Sequence, residues 1–143
     1  MPEPLYKKIL LPLDGSKFSE KAVKDAIFIA KASNAEIILI SVVENSFLVG
    51  LPADNTTNEI NKLLEDEAQK NINKIKEQLK DIKTTIIIEE GSPAEAIIKT
   101  IEKENIDLVI MGSSGKKGFE KFIIGSVTDK VVNSARCKIM IIH

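Results

Sequence analysis

Five short apolar runs recur along the chain, and after each of the first four the apolar positions return at helical spacing. The runs lie at Ile9-Leu10-Leu11-Pro12-Leu13, Ile37 to Val43, Thr84 to Glu89, Ile106 to Met111 and Lys138 to Ile142. Mostly β-branched and without polar alternation, they predict strands covered on both faces, which is the parallel-sheet case. Pro12 falls near the exit of the first strand, read at about residues 7–13, where a missing ladder donor costs least. Ala22, Val23, Ala26, Ile27, Ile29 and Ala30 predict a helix with a wide apolar face, started by Ser16, running to about Ser33 and stopped by Asn34. A long amphipathic helix is predicted from about Asn58 to Ile82, with Leu63, Leu64, Ala68, Ile72 and Ile75 among its apolar positions. Ser92-Pro93-Ala94-Glu95 has the form of a capping box with proline at the first helical position, and Asn105 ends the helix it opens. A last helix runs to about Ser134. Strand and helix in regular alternation predict an α/β fold, a parallel doubly wound sheet with right-handed crossovers.

The segment from Glu44 to Thr57 interrupts this pattern. Gly50, Pro52 and the cluster Asn55-Thr56-Thr57-Asn58 mark it as a loop. Its Phe47, Leu48, Val49 and Leu51 are too apolar for a free linker. They are expected to fold over something: a lid, a groove or a partner subunit.

Composition narrows the functional classes. The 143 residues suit one domain, 1–143, with a sizeable core. A net charge of −1 gives no basic field to hold a nucleic-acid backbone, and 4% aromatics without tryptophan argue against a single-strand stacking platform. No apolar run approaches the ~18 residues of a membrane span, and no secretory apolar region follows Met1, so a cytoplasmic protein is expected. The lone Cys137 excludes an internal disulfide and a multi-cysteine metal site. The only histidine is His143 at the terminus, and no Ser/His/Asp set, HExxH motif or acidic pair after the first strand is present. Catalytic machinery is therefore poorly provided for.

Candidate chemistry concentrates between Asp107 and Thr128. A strand ends in Gly112, Ser113, Ser114, Gly115, Lys116, Lys117 and Gly118, and after a short apolar bridge Gly125 and Ser126 open the last helix. Glycines after a strand let backbone N–H groups approach an anion, and a helix start adds unpaired N–H groups and a positive dipole end. The spacing is neither a Walker A loop nor a dinucleotide fingerprint, and glycines here also suit a simple turn. Ser126-Val127-Thr128-Asp129 has capping-box spacing, with Asp where Glu or Gln is usual, so Ser126 suits either a cap or a phosphate contact. Asp129 would oppose phosphate charge and favour binding with a divalent cation. Ligands of open parallel sheets sit beyond the strand carboxyl ends at the switch point. Asp14 is placed there if the first and fourth strands are neighbours; as a ribose or base contact and as a turn residue it reads equally well.

These residues resemble the universal stress protein family. Gly112-x2-Gly115-x9-Gly125-Ser126 is similar to its ATP-binding signature, and KKILLPLDGS, EIILISVVE, EGSPAEAIIKTIEKENIDLVIMGSSG and GSVTDKVV extend the likeness over nearly the whole chain. The resemblance implies a three-layer α/β/α fold of the adenine nucleotide alpha-hydrolase-like, Rossmann-like type, with a five-stranded parallel sheet in the order 3-2-1-4-5. It implies ATP, with Mg²⁺ or Mn²⁺, across the ends of the first and fourth strands. Pro12, Asp14 and Val42 would surround the adenine and ribose, and Gly112 to Gly118 would wrap the ribose and phosphates. Ser126, Val127 and Thr128 would hold the outer phosphates. It further implies a homodimer joined through the last strand; Ile139 to Ile142 is also an uncharged apolar strand that would be a hazard as an open edge. Two positions depart from the family pattern: Ser114 stands where many members have His, and Lys138 stands where proline commonly begins the final strand. The expected function is nucleotide-dependent regulation with at most slow hydrolysis. A nucleotide-independent dimeric scaffold is the alternative; an adenylyl-transfer enzyme is disfavoured because no substrate domain is present.

Overall fold

The computed structural model describes residues 5–114 and 124–143. In chain order its elements are β1 (Lys8–Pro12), α1 (Lys17–Ser33), β2 (Glu36–Val43), a 3₁₀ turn (Ser46–Leu48), α2 (Asn55–Lys76) with a 3₁₀ extension (Glu77–Leu79), β3 (Thr84–Glu90), α3 (Pro93–Lys103), β4 (Leu108–Gly112), α4 (Ser126–Ser134) and β5 (Lys138–Ile142). All strand pairs are parallel, and the sheet order is β3-β2-β1-β4-β5. This is the order the family resemblance implies.

Successive strand residues point to opposite faces, so an apolar run must be covered twice. Ile9, Leu11, Ile37, Leu39 and Ile110 pack beneath α1 and α2, against residues such as Val23, Ala26, Ile72 and Ile75. Leu10, Ile38, Ile40, Val109 and Met111 face α3 and α4 and meet Ile97, Ile101 and Val131. Burying one such side chain contributes about 1.5–3 kcal/mol, and these two layers form the core. The central strands are almost wholly buried, whereas β3, at one edge, leaves Ile86 and Ile88 exposed.

Helix α1 follows its sequence expectation closely. Ser16 is the N-cap, its Oγ accepting from the Ser19 N–H at 3.1 Å, and Asn34 closes the helix in the left-handed region at φ 56°. Three other expectations change. Helix α2 begins at Asn55 instead of Asn58, because Asp54 caps it by accepting from the Thr57 N–H at 2.9 Å. A good cap overrides the weak helix propensity of Asn and Thr. Its regular α-helix ends at Lys76, and a 3₁₀ turn takes the chain on toward Ile82. Ser92 does precede α3, but its side chain makes no capping hydrogen bond; proline at the first helical position carries that start.

Candidate functional site

The strand order reverses between β1 and β4, which pair directly through Ile9 with Leu108 and Leu10 with Val109. A cleft of about 1060 Å³ opens beyond their carboxyl ends, the place where a doubly wound sheet binds ligands. A second, more polar hollow of about 510 Å³ lies at the opposite end of the strands, beside Lys7 and Glu36. It is remote from every candidate residue.

The β1 side of the cleft is built by a tight turn. The Leu13 N–H donates to Ile40 O at 2.8 Å, carrying the pairing one residue past Pro12. Asp14 then turns outward: one carboxylate oxygen accepts from the Ser16 N–H at 2.8 Å, and the side chain takes no other partner among the described residues. Gly15 follows at φ +81°, and a Cβ there would lie 2.6 Å from the Asn71 amide nitrogen. Asp14 thus holds the turn, one of its two sequence readings, and also lines the cleft. Pro12 and Val42 line the same end, and both are half-buried.

The β4 side is fastened by backbone. Gly112 was expected to make room for an anion. A Cβ at this position would lie 2.6 Å from Phe18 Cβ and 2.9 Å from the Phe18 carbonyl carbon. Glycine is needed there to seat the strand end against the first turn of α1. Ser113 is fully buried; its N–H donates to Ile142 O and its carbonyl accepts from the Gly125 N–H, both at 2.8 Å. Its Oγ has no partner among the described residues, and Ser113 is absent from the cleft lining, which Gly112 and Ser114 do join. Gly115, Lys116, Lys117 and Gly118 lie outside the described residues.

Helix α4 supplies the third side. Its N-cap is Gly125, in extended conformation at φ −68° and ψ 160°, and among the described residues no side chain caps the helix. The expected capping box is therefore absent. Ser126 sits one position too far along, as the first helical residue, where it is exposed and lines the cleft. The first turn closes through the Asp129 N–H to Gly125 O at 2.9 Å, so the N–H groups of Ser126, Val127 and Thr128 are those a helix start leaves unpaired. Thr128 is buried and its hydroxyl is engaged, donating to Gly112 O at 2.9 Å. Only its N–H remains available. Val127 is shared between the cleft and the core beneath α3 and α4.

Helix α2 adds a wall that sequence reading did not assign. Leu64, Ala68 and Asn71 reach the cleft from one face, at the i, i+4, i+7 spacing. The available signal was Asn71 itself, a polar residue on an otherwise apolar stripe. Catalytic equipment is sparse. Burial pushes the Cys137 thiol above its ordinary value, and the nearby Asp107 charge adds to this, which leaves a poor nucleophile. Among the described residues no three His, Cys, Asp or Glu side chains converge on a metal position, and no helix is long and apolar enough to cross a membrane.

The chain matches the model of the universal stress protein family over residues 5–143. It is 42% identical over 142 residues to universal stress protein MJ0531 of Methanocaldococcus jannaschii, spanning 98% of this chain and 84% of that protein. The solved structure of MJ0577, from the same organism, matches with a TM-score of 0.85 at 33% identity, covering 96% of each chain. A universal stress protein family protein of Arabidopsis thaliana, At3g01520, solved with AMP bound, shares the fold at a TM-score of 0.67 and 14% identity, covering 95% of this chain and 90% of that one.

Proposed function

The chain belongs to the universal stress protein family, and on that premise we propose that it holds ATP, with Mg²⁺ or Mn²⁺, as the regulatory state of a cytoplasmic, single-domain homodimer. The observation that carries this reading is the uncapped start of α4, opening on the same cleft as Asp14 and Val42. An anion there would satisfy the free N–H groups and meet the positive end of the helix dipole. The outer phosphates would lie against Gly125, Ser126, Val127 and Thr128. Gly112, Ser113 and Ser114, with Gly115, Lys116, Lys117 and Gly118, would take the ribose and inner phosphates; Ser113 would act through the backbone it fixes. Pro12 and Val42 would bracket the base, and Asp14 would accept from ribose hydroxyls. AMP held by the Arabidopsis protein of this fold supports an adenine nucleotide.

The cation would travel with the triphosphate, since Mg²⁺ is commonly held by phosphates, water and one or two carboxylates. Hydrolysis would be slow, because no described side chain beside the α4 start is suited to activate water. For the dimer, β5 is an edge strand whose Ile139, Met140, Ile141 and Ile142 are all only half-buried; a second copy would cover it.

The test is direct. Protein taken from its expression host and extracted with acid should release adenine nucleotide, and calorimetry with MgATP should give saturable binding. Empty protein that is silent toward MgATP yet still dimeric would turn the reading to the nucleotide-independent scaffold. That alternative draws on Gly112, whose glycine is explained by packing against Phe18 alone.

A further inference from the structure

We propose that Phe47 closes the base end of the cleft by stacking its ring on the bound nucleobase; this rests on the nucleotide reading above. Phe47 lies in the 3₁₀ turn that leaves β2, and it lines the cleft beside Val42. Its ring is 60% exposed. The turn beneath it is tied at several points. The Asn45 N–H donates to Val43 O at 2.9 Å and the Leu48 N–H donates to Asn45 O at 2.9 Å. The Asn45 side-chain amide donates to Asn61 Oδ1 at 2.8 Å, joining the turn to α2.

The backbone therefore holds an aromatic ring at the cleft mouth without packing it into the core. Val49 and Leu51 of the same segment are also exposed but stand outside the cleft lining, so Phe47 is the one of these three that lines it. The same cleft is lined by the apolar Ile40, Val42 and Leu64, alongside Glu44 and Glu67. A base has apolar faces and a polar edge, which suits such a mixed lining. Stacking accepts any base, because every base has a π-face. The ring would add affinity for a nucleoside over bare phosphate, while discrimination between bases is left to the cleft floor.

The chain has no tryptophan, so Phe47→Trp installs a single emitter at the cleft mouth. Its fluorescence should be quenched saturably by MgATP, with the midpoint that calorimetry gives, and should not respond to magnesium tripolyphosphate. Phe47→Ala should keep the wild-type melting temperature and weaken MgATP binding by about tenfold or more, the scale of losing one base–aromatic stack. Phe28→Ala, which removes an even more exposed phenylalanine from α1 outside the cleft, should leave that affinity unchanged. Affinity of Phe47→Ala equal to the wild type, a Phe47→Trp emission that stays constant through ATP saturation, or one quenched equally by tripolyphosphate would each overturn the proposal and leave the nucleotide reading standing. A wild-type chain that binds no MgATP overturns both.

Discussion

Of the helices that start at the cleft, α1 and α4 finish their amino ends in opposite ways. Ser16 caps α1 with its own oxygen by accepting from the Ser19 N–H, and Ser19 Oγ donates back to Ser16 O at 3.0 Å, so that turn has a cap of its own without a ligand. At the head of α4 stands Gly125, which has no side chain to offer. Both starts meet at Gly112: its α-carbon lies against Phe18 of α1, and its carbonyl takes the Thr128 hydroxyl of α4. A self-satisfied helix start serves as wall. One that omits its cap beside a cleft leaves donors for something else to occupy, and under the proposed function this contrast, more than the glycine spacing, would mark the anion end of the site.

The comparison breaks most completely at its shared joint. Gly112→Val would drive a side chain into Phe18 and should destabilise the fold by about 1–3 kcal/mol or more, read as a lower urea midpoint with an unchanged slope. Ser16→Ala should cost about 1 kcal/mol of stability, the usual loss of a serine cap, while MgATP affinity stays at the wild-type level. Giving α4 the cap that α1 already has inverts this outcome. Gly125→Ser should raise stability by a few tenths of a kcal/mol, roughly the difference between serine and glycine at an N-cap, and should weaken MgATP binding because its hydroxyl competes for the same N–H groups. Stability and affinity moving together in that variant would contradict the assignment of α4.

The smallest effect belongs to a third start, that of α2. The Thr57 backbone N–H holds the Asp54 carboxyl below its ordinary value of 3.8, with the Thr57 side chain adding to this. A carboxyl lowered on folding contributes stability that is complete above the ordinary carboxylate range and is lost as pH falls through the lowered folded-state value. The stabilities of wild type and Asp54→Ala should therefore converge under acid, and the Asp54 carbon resonance should titrate below 3.8. A midpoint at or above that value would remove the cap's electrostatic part.

Much of this architecture was legible beforehand. Runs such as Ile37 to Val43 specify a strand buried on both faces, and Ser16 and Asn34 bound α1 because cap chemistry is local. The sheet order was less so: periodicity gives alternation, and the family resemblance supplied 3-2-1-4-5. Ser126 misled because Ser-x-x-Asp has the same spacing whether Ser is the cap or the first helical residue. Asn55 to Thr57 read as loop because intrinsic propensity was weighed without Asp54. The reason for Gly112 needed Phe18, which is distant in sequence and adjacent in space. Asn71 stayed unnoticed because a single polar residue in an amphipathic stripe is ordinary until the opposite wall is known.

Ser113 has a consequence in wiring. Its amide holds the last carbonyl of β5 and its carbonyl holds the amide that begins α4, so the edge of the sheet and the mouth of the cleft are soldered to the same residue. A pull on the first turn of α4 would reach the terminal strand through two hydrogen bonds and the single residue between them.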